Sequence, residues 1–511
     1  MENGETRSWR SRRGKTAAAL SSFASSETLR LCVFPAVKSA LLCVAALSCT
    51  LVVAAASDWP QFRGPGGLGI AADSADVPVE FGPEKNVVWK TPLAGGHSSP
   101  VLWGDRIFLT TFDEGKLAAV CLDRGRGRIL WSRAVPAERV EQVHRISSPA
   151  AATPCTDGAR VYFHFGSFGV IAFDFAGTEV WRHPLPLPVN DFGTGASPIL
   201  AGGKLIVLRD QDVGSFLLAL DPANGKPLWR TERPGFFRGH STPFLWQHDG
   251  AEEIVITGAI RLTSYDPATG RERWSTAGLS RVANATPTAA GSMLFASSWN
   301  VGADATGRME LPPFSDFAAA QDRNADGALS EDDFPPGQLR SRFTQLDADK
   351  DGRVTRSEWD AYVPIVAKAE NSLLAVRAGG RDDVAASHVV WKKTRGLPYV
   401  ASPLHYDGRI YTIKSGGMAS CFDAATGEEK WLEQRVGIFG DFYASPIAAA
   451  GKVFLAAQNG TIAVLAAGDA FQIVATNPLG EPIFATPAIA DGRLYVRTAS
   501  HLYCFGPGAS K

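Results

Sequence analysis

Short apolar runs broken by Gly, Asp and Pro recur along most of this chain, and residues 401–431 show the pattern most clearly. Residues 401–406 (Ala-Ser-Pro-Leu-His-Tyr) read as one strand, Asp407-Gly408 as a hairpin turn, and residues 409–414 as a second strand. Ser415-Gly416-Gly417 turns the chain into a third run, residues 418–422. The next turn, Asp423-Ala-Ala-Thr-Gly427, offers an Asp side chain to cap the turn backbone and a Gly to take positive φ. A fourth strand follows with Trp431. The signature that opens this unit, Ser or Thr followed by Pro, is read at Pro100, Pro149, Pro198, Pro243, Pro287, Pro403, Pro446 and Pro487. The spacings are 49, 49, 45, 44, 116, 43 and 41. A period in the forties with four strand-like segments predicts propeller blades.

The Asp-to-Trp distance is eight for Asp123 and Trp131, Asp221 and Trp229, Asp266 and Trp274, and Asp423 and Trp431. A large ring repeated at one place in each unit predicts a wedge between neighbouring blades, stabilising by about 1.5–3 kcal/mol of burial. The last unit runs from Pro487 to Phe505 without an outer strand, whereas residues 87–91 (Val-Val-Trp-Lys-Thr) look like one. Closure by that N-terminal strand removes the open edges. The predicted fold class is therefore all-β: an eight-bladed propeller with a small helical insertion in blade 5.

The 116-residue interval contains that insertion, with residues 86–300 and 372–508 as propeller and 301–371 as the added module. Two calcium-loop motifs lie inside it. In the second, Asp347, Asp349, Asp351, Thr355 and Glu358 stand at the oxygen-ligand places, the Arg353 carbonyl fills the seventh, and Gly352 makes the tight bend. In the first, the corresponding residues are Asp322, Asn324, Asp326, Ala328, Ser330 and Asp333. Its final ligand is Asp where the second loop has Glu, and the shorter carboxylate predicts weaker calcium binding. Phe343 and Trp359 are expected to pack the two loops' helices together.

Repeats such as residues 220–229 (Leu-Asp-Pro-Ala-Asn-Gly-Lys-Pro-Leu-Trp) and 265–274 (Tyr-Asp-Pro-Ala-Thr-Gly-Arg-Glu-Arg-Trp) resemble those of the bacterial PQQ-like, or quinoprotein-like, eight-bladed propellers. Residues 58–65 (Asp-Trp-Pro-Gln-Phe-Arg-Gly-Pro) are similar to the start of exported members. The resemblance covers residues 58–508 apart from the insertion. It implies the fold, but two kinds of function: PQQ-dependent alcohol or sugar dehydrogenases, and cofactor-free members, one of which helps assemble outer-membrane β-barrels.

Propeller topology gathers the residues just before the inner strands around the channel mouth, under the inserted module. Those residues are His97, His144, Arg145 and Asp191, then Arg238, His240, Arg281 and Asn284, and finally Tyr399, Asp441 and Tyr443. Convergent polar groups in a concavity are the default ligand site. The expected occupant is an envelope protein, peptide or glycan. PQQ is the disfavoured alternative, since blades of 41 to 49 residues leave no long loops to enclose it and there is no adjacent Cys-Cys pair. The reading leans away from an enzyme: no nucleophile elbow or zinc signature is found.

Charge and leader change the picture in two ways. Residues 1–56 carry seven Lys/Arg and three Asp/Glu, leaving 44 basic against 49 acidic residues beyond them, with no basic stripe for nucleic acid. Residues 39–56 are uncharged and apolar and end in Ala-Ala-Ala, which predicts export, with the segment either cleaved near Ser57 or retained as a short membrane anchor. Residues 57–85 form a lead into the propeller. Beyond residue 56 only Cys121, Cys155, Cys421 and Cys504 remain, scattered over different blades, and buried free thiols are expected.

Overall fold

The computed structural model describes residues 57–71, 77–304, 310–337 and 339–507. The apolar leader of residues 39–56 lies outside them. Among the described residues no helix is long and apolar enough to cross a membrane.

Eight sheets form eight blades, seven of four strands and one of five. Blade 6 follows the pattern above: Leu404–Tyr406, Arg409–Lys414, Met418–Asp423 and Glu429–Arg435. The middle strands of each blade bury apolar residues on both faces because each blade is stacked between two others, whereas the outer strands expose residues such as Ile129, Val180 and Leu228. Blade 8 contains Ala488–Ala490, Arg493–Arg497 and His501–Phe505, and its outer strand is the N-terminal Val87–Pro92. Trp89 stands opposite Cys504 there, closing the ring as expected. In blade 4 a two-residue segment, Asp382–Asp383, adds a fifth strand parallel to Glu272–Ala277. The four cysteines are free and buried.

The repeated Trp residues are fixed by direction as well as burial. Each indole N–H donates to a turn carbonyl of the next blade: Trp131 to Phe175 at 3.0 Å, Trp181 to Pro222 at 2.9 Å, and Trp229 to Pro267 at 3.2 Å. Trp431 reaches Gly468 in the same way at 3.3 Å. The Asp of the turn caps it, as where Asp423 Oδ1 accepts from the Thr426 N–H at 2.9 Å. Trp274 departs from the expected wedge. Its indole donates to Glu253 Oε2 of its own blade at 2.6 Å, and Trp246 instead spans to the next blade, donating to the Gly291 carbonyl at 2.9 Å.

One repeat was phased wrongly by sequence. The inner strand of blade 2 is Cys155–Thr156, so its opening signature is Thr153-Pro154, not Ser148-Pro149. The longer connection after blade 1 carries a second Ser-Pro five residues early, and a spacing rule alone prefers it. Corrected, the first two intervals become 54 and 44.

Between strands Met293–Ser298 and Ser372–Arg377 of blade 5 lie α1 (Phe314–Gln321), α2 (Phe343–Leu346) and α3 (Arg356–Lys368). They enclose a separate apolar cluster in which Phe334 lies 5.5 Å from Phe343 and 6.4 Å from Trp359 between ring centroids. Leu329 and Val354 exchange two backbone hydrogen bonds, of 2.9 and 2.7 Å, which tie the two loops edge to edge.

Candidate functional site

The central channel is closed at the end away from the mouth by the lead segment. Trp59 pairs with Leu102 of blade 1, the Pro60 carbonyl accepts from Thr156 of blade 2, and Ile70 bridges to Ala448 of blade 7. Arg63 is fully buried, with Nη2 donating to the Pro403 carbonyl at 2.7 Å and to that of Leu68 at 3.2 Å. Burial pushes its guanidinium down to about 9. This crossing sets Phe62 at the base of a cavity of about 320 Å³. Sequence reading treated the segment only as a lead, because its partners lie on blades far away in the chain.

Above Phe62 the wall is a collar of hydroxyls from the repeated Ser/Thr-Pro signatures. The Ser99 N–H donates to Thr153 Oγ1 at 2.9 Å, Thr153 to Ser197 Oγ at 2.9 Å, and Ser197 to Thr242 Oγ1 at 3.1 Å. The chain continues from Thr242 to Thr286 and from Thr286 to Ser402, at 3.1 and 3.0 Å. Ser402 then donates to Ser445 at 3.0 Å and Ser445 to Thr486 at 2.9 Å. The signature residue thus satisfies the first orphan N–H of the neighbouring inner strand. The Pro that follows has no N–H and needs no partner.

Seven predicted mouth residues line this cavity: His97, Arg238, His240 and Arg281, with Asn284, Tyr399 and Tyr443. His144, Arg145, Asp191 and Asp441 do not, and stand outside it. His144 and Arg145 are exposed. Phe192 and Phe484 were missed by sequence; the latter stacks on His97 at 4.1 Å and on Tyr443 at 5.7 Å. Burial, with Arg497 nearby, pushes His97 down to about 3, and burial with Arg238 nearby pushes His240 down to about 4, so both imidazoles are neutral at physiological pH.

The two cations of the cavity are held differently. Arg238 binds Asp212 through two hydrogen bonds of 2.5 and 2.8 Å and lies 3.0 Å from Asp191. Its charge is spent within the protein. Arg281 has no carboxylate within ion-pair distance among the described residues; its Nη1 donates to the Gln345 side chain at 2.8 Å. Desolvation by burial lowers its pKa.

Gln345 belongs to α2, and through it the inserted module sits on the mouth. Arg238 Nη2 also donates to the Thr344 carbonyl at 3.0 Å, Tyr362 donates to Gln345 Oε1 at 3.1 Å, and Lys350 pairs with Asp191. Lys350 lies inside the second loop, directly after α2. In that loop carboxylate oxygens of Asp347, Asp349 and Asp351 all lie within 4.8 Å of one another. Asp347 is 5% exposed and its Oδ1 is buried with no hydrogen-bond partner. Burial raises its pKa, and the neighbouring Glu358 and Asp351 charges add to the rise. Glu358 is aimed at the loop by its own contacts, accepting from the Ala348 N–H at 2.9 Å and the Thr355 N–H at 2.7 Å. An all-oxygen set with an orphaned buried oxygen fits a hard divalent cation.

The first loop is built in the same way. Asp333 caps Ser330 through its N–H and hydroxyl at 2.8 and 2.7 Å, Asn324 donates to Asp326 at 3.0 Å, and Arg353 pairs with Asp326 at 2.8 Å. Asp322 Oδ1 is likewise buried without a partner.

PQQ does not fit the cavity. The quinone bears three carboxylates, and a dehydrogenase needs an Asp base and calcium ligands beside it. The cavity offers one unpaired guanidinium, and no Asp or Glu lines it among the described residues.

Comparison with known proteins matches residues 79–241, 215–309 and 340–469 to the family model described as outer membrane protein assembly factor BamB. A curated protein of that description from Burkholderia pseudomallei is 26% identical over 207 residues, 38% of this chain and 48% of that protein. The chain thus spans about half the length of the curated relative it matches. Quinohemoprotein alcohol dehydrogenase from Comamonas testosteroni superposes with a TM-score of 0.53 at 12% identity, over 89% of this chain and 81% of that one. A europium-containing methanol dehydrogenase gives 0.52 at 10% identity, over 88% of this chain and 98% of that one. At such identities these structures share the fold alone. The family model covers well over half of the chain, and its eight blades agree: the protein belongs to the PQQ-like propeller family described as outer membrane protein assembly factor BamB.

Proposed function

We propose that the protein is an exported, non-catalytic scaffold of the cell envelope, which binds a protein, peptide or glycan at the channel-mouth rim while a calcium-bound module holds the mouth as a rigid lid. The observation that carries this is the seating of α2 on Arg238 and Arg281, immediately before a loop whose buried Asp347 oxygen has no partner. Calcium in the second loop would be ligated by Asp347, Asp349, Asp351, Thr355, Glu358 and the Arg353 carbonyl. The first loop would use Asp322, Asn324, Asp326, Ala328, Ser330 and Asp333 more weakly. Outside the cytoplasm such modules are tuned to about 10⁻⁴–10⁻³ M, so the ion acts as a permanent clamp.

Support for a scaffold comes from membership of a family described by outer-membrane assembly and from a lining that, among the described residues, holds no carboxylate for alcohol oxidation. The dehydrogenase reading has the fold in its favour and the cavity chemistry against it. The rim, not the cavity, presents exposed groups: His144, Arg145 and Asp441, with Phe439, two residues before Asp441, at 72% exposure. Envelope location rests on the apolar leader and the relatives.

The test is capture from envelope extract by immobilised full-length protein in calcium, compared with a His144→Ala, Arg145→Ala, Phe439→Ser variant. These side chains are exposed, so folding is preserved. Loss of a specific partner in the variant is expected; an unchanged partner set rejects the rim assignment.

A further inference from the structure

The cavity beneath the rim carries chemistry that the scaffold reading does not use. Each of the seven hydroxyls from Thr153 to Thr486 accepts a backbone N–H, leaving its own O–H proton free to donate. To these donors Arg281 adds a positive charge that no carboxylate of the described residues meets. The walls therefore offer many donors and, among the described residues, no anionic acceptor. An anion suits them well. The single unpaired guanidinium sets the charge at one, since Arg238 is already matched by Asp212 and Asp191.

The apolar part of the cavity sets the rest. His97, Phe484 and Tyr443 lie nearly parallel, at 9° and 11° between successive rings, and Phe62 closes the base. Neutral His97 keeps this stack free of charge. A volume of about 320 Å³ lies at the small end of ligand pockets. We propose that the cavity binds a small ring-bearing monocarboxylate, with its ring against Phe484 and Phe62 and its carboxylate toward Arg281 and the hydroxyl collar.

The test is isothermal titration of the full chain with benzoate, 4-hydroxybenzoate and phenylacetate, each against a neutral partner: benzyl alcohol, 4-hydroxybenzyl alcohol and 2-phenylethanol. At least one carboxylate is expected to bind tenfold or more tightly than its neutral partner. Arg281→Gln should erase that preference, and Phe484→Ala should weaken both members of the pair. Because Arg281→Gln also removes a contact to the lid, Gln345→Ala serves as the second variant: it breaks the same contact but keeps the charge, and should retain the preference. Equal binding of neutral partners, no carboxylate binding at millimolar concentration, or stoichiometric binding of PQQ in their place overturns the proposal. Rim-partner capture reads a different surface, so either result stands without the other.

Discussion

The indole of Trp89 packs against Gly127 and donates to the Arg124 carbonyl at 3.0 Å, so the first strand of the propeller is keyed to the last turn of the next blade. A Cβ at Gly127 would meet the Trp89 ring at 2.4 Å and Thr91 Oγ1 at 2.5 Å, and the residue has φ of 72°. Both sterics and conformation require Gly. Gly127→Ala should cost about 2–5 kcal/mol, the sum of a left-handed Ala and an overpacked contact. Gly451 has nearly the same φ, 71°, but open space around it, so Gly451→Ala should cost only about 1–2 kcal/mol. Denaturant unfolding of the two variants separates the terms.

That docking was legible because all its parts are local: an Asp, a Gly four residues on, and a Trp eight residues from the Asp, repeated until the period shows. The shift from Pro149 to Pro154 marks the limit of such reading, since two Ser/Thr-Pro pairs five residues apart are equivalent in sequence. The inner strand at Cys155–Thr156 and the hydrogen bond from Ser99 to Thr153 select one. The plug and the lid were invisible for another reason. Arg63 finds Pro403 340 residues away, and Arg238 finds Thr344 106 residues away. Topology brings seven of the eleven mouth residues to one cavity and leaves four outside it, but whether a charge is free or spent, as for Arg281 and Arg238, depends on side-chain partners that no spacing encodes.

Arg63 should behave as the pin of the plug. Arg63→Met keeps the side-chain length but leaves the Pro403 and Leu68 carbonyls without their charged donor, at a cost of about 1.5–3 kcal/mol for each interaction to a charged group. Limited proteolysis should then cleave between residues 57 and 71 in the variant and not in the native protein.

Glu141 provides a pH test. It is buried, and burial pushes its carboxyl up to about 7, against the opposing charge of Arg209. A carboxyl whose folded value lies above its unfolded value of 4.5 holds its proton more tightly in the native state, so this group lowers stability as pH rises from about 4.5 to about 7. Glu141→Gln should therefore gain stability relative to the native protein across that window and hold the gain above it. Urea unfolding at pH 5 and pH 8 checks this; an unchanged difference between the two pH values contradicts it.

The two proposed calcium loops should separate by mutation. Glu358 is long enough to supply two oxygens in the loop with three converging Asp carboxylates, whereas Asp333 is a shorter carboxylate, each also capping its own helix start at Thr355 or Ser330. Calorimetric titration should show Glu358→Ala weakening calcium binding more than Asp333→Ala. Because an ion that binds only the folded module stabilises it by mass action, chelation should lower the module's melting transition and leave the propeller's largely in place.

Whether calcium sets the lid on the mouth is read most directly by amide hydrogen exchange of the full chain with calcium and with chelator. Calcium should slow exchange in residues 343–358 and, through Lys350 with Asp191 and Arg238 with Thr344, also in the mouth segments 189–192 and 236–240. Protection confined to the loop, with the mouth segments unchanged, would contradict a calcium-held lid.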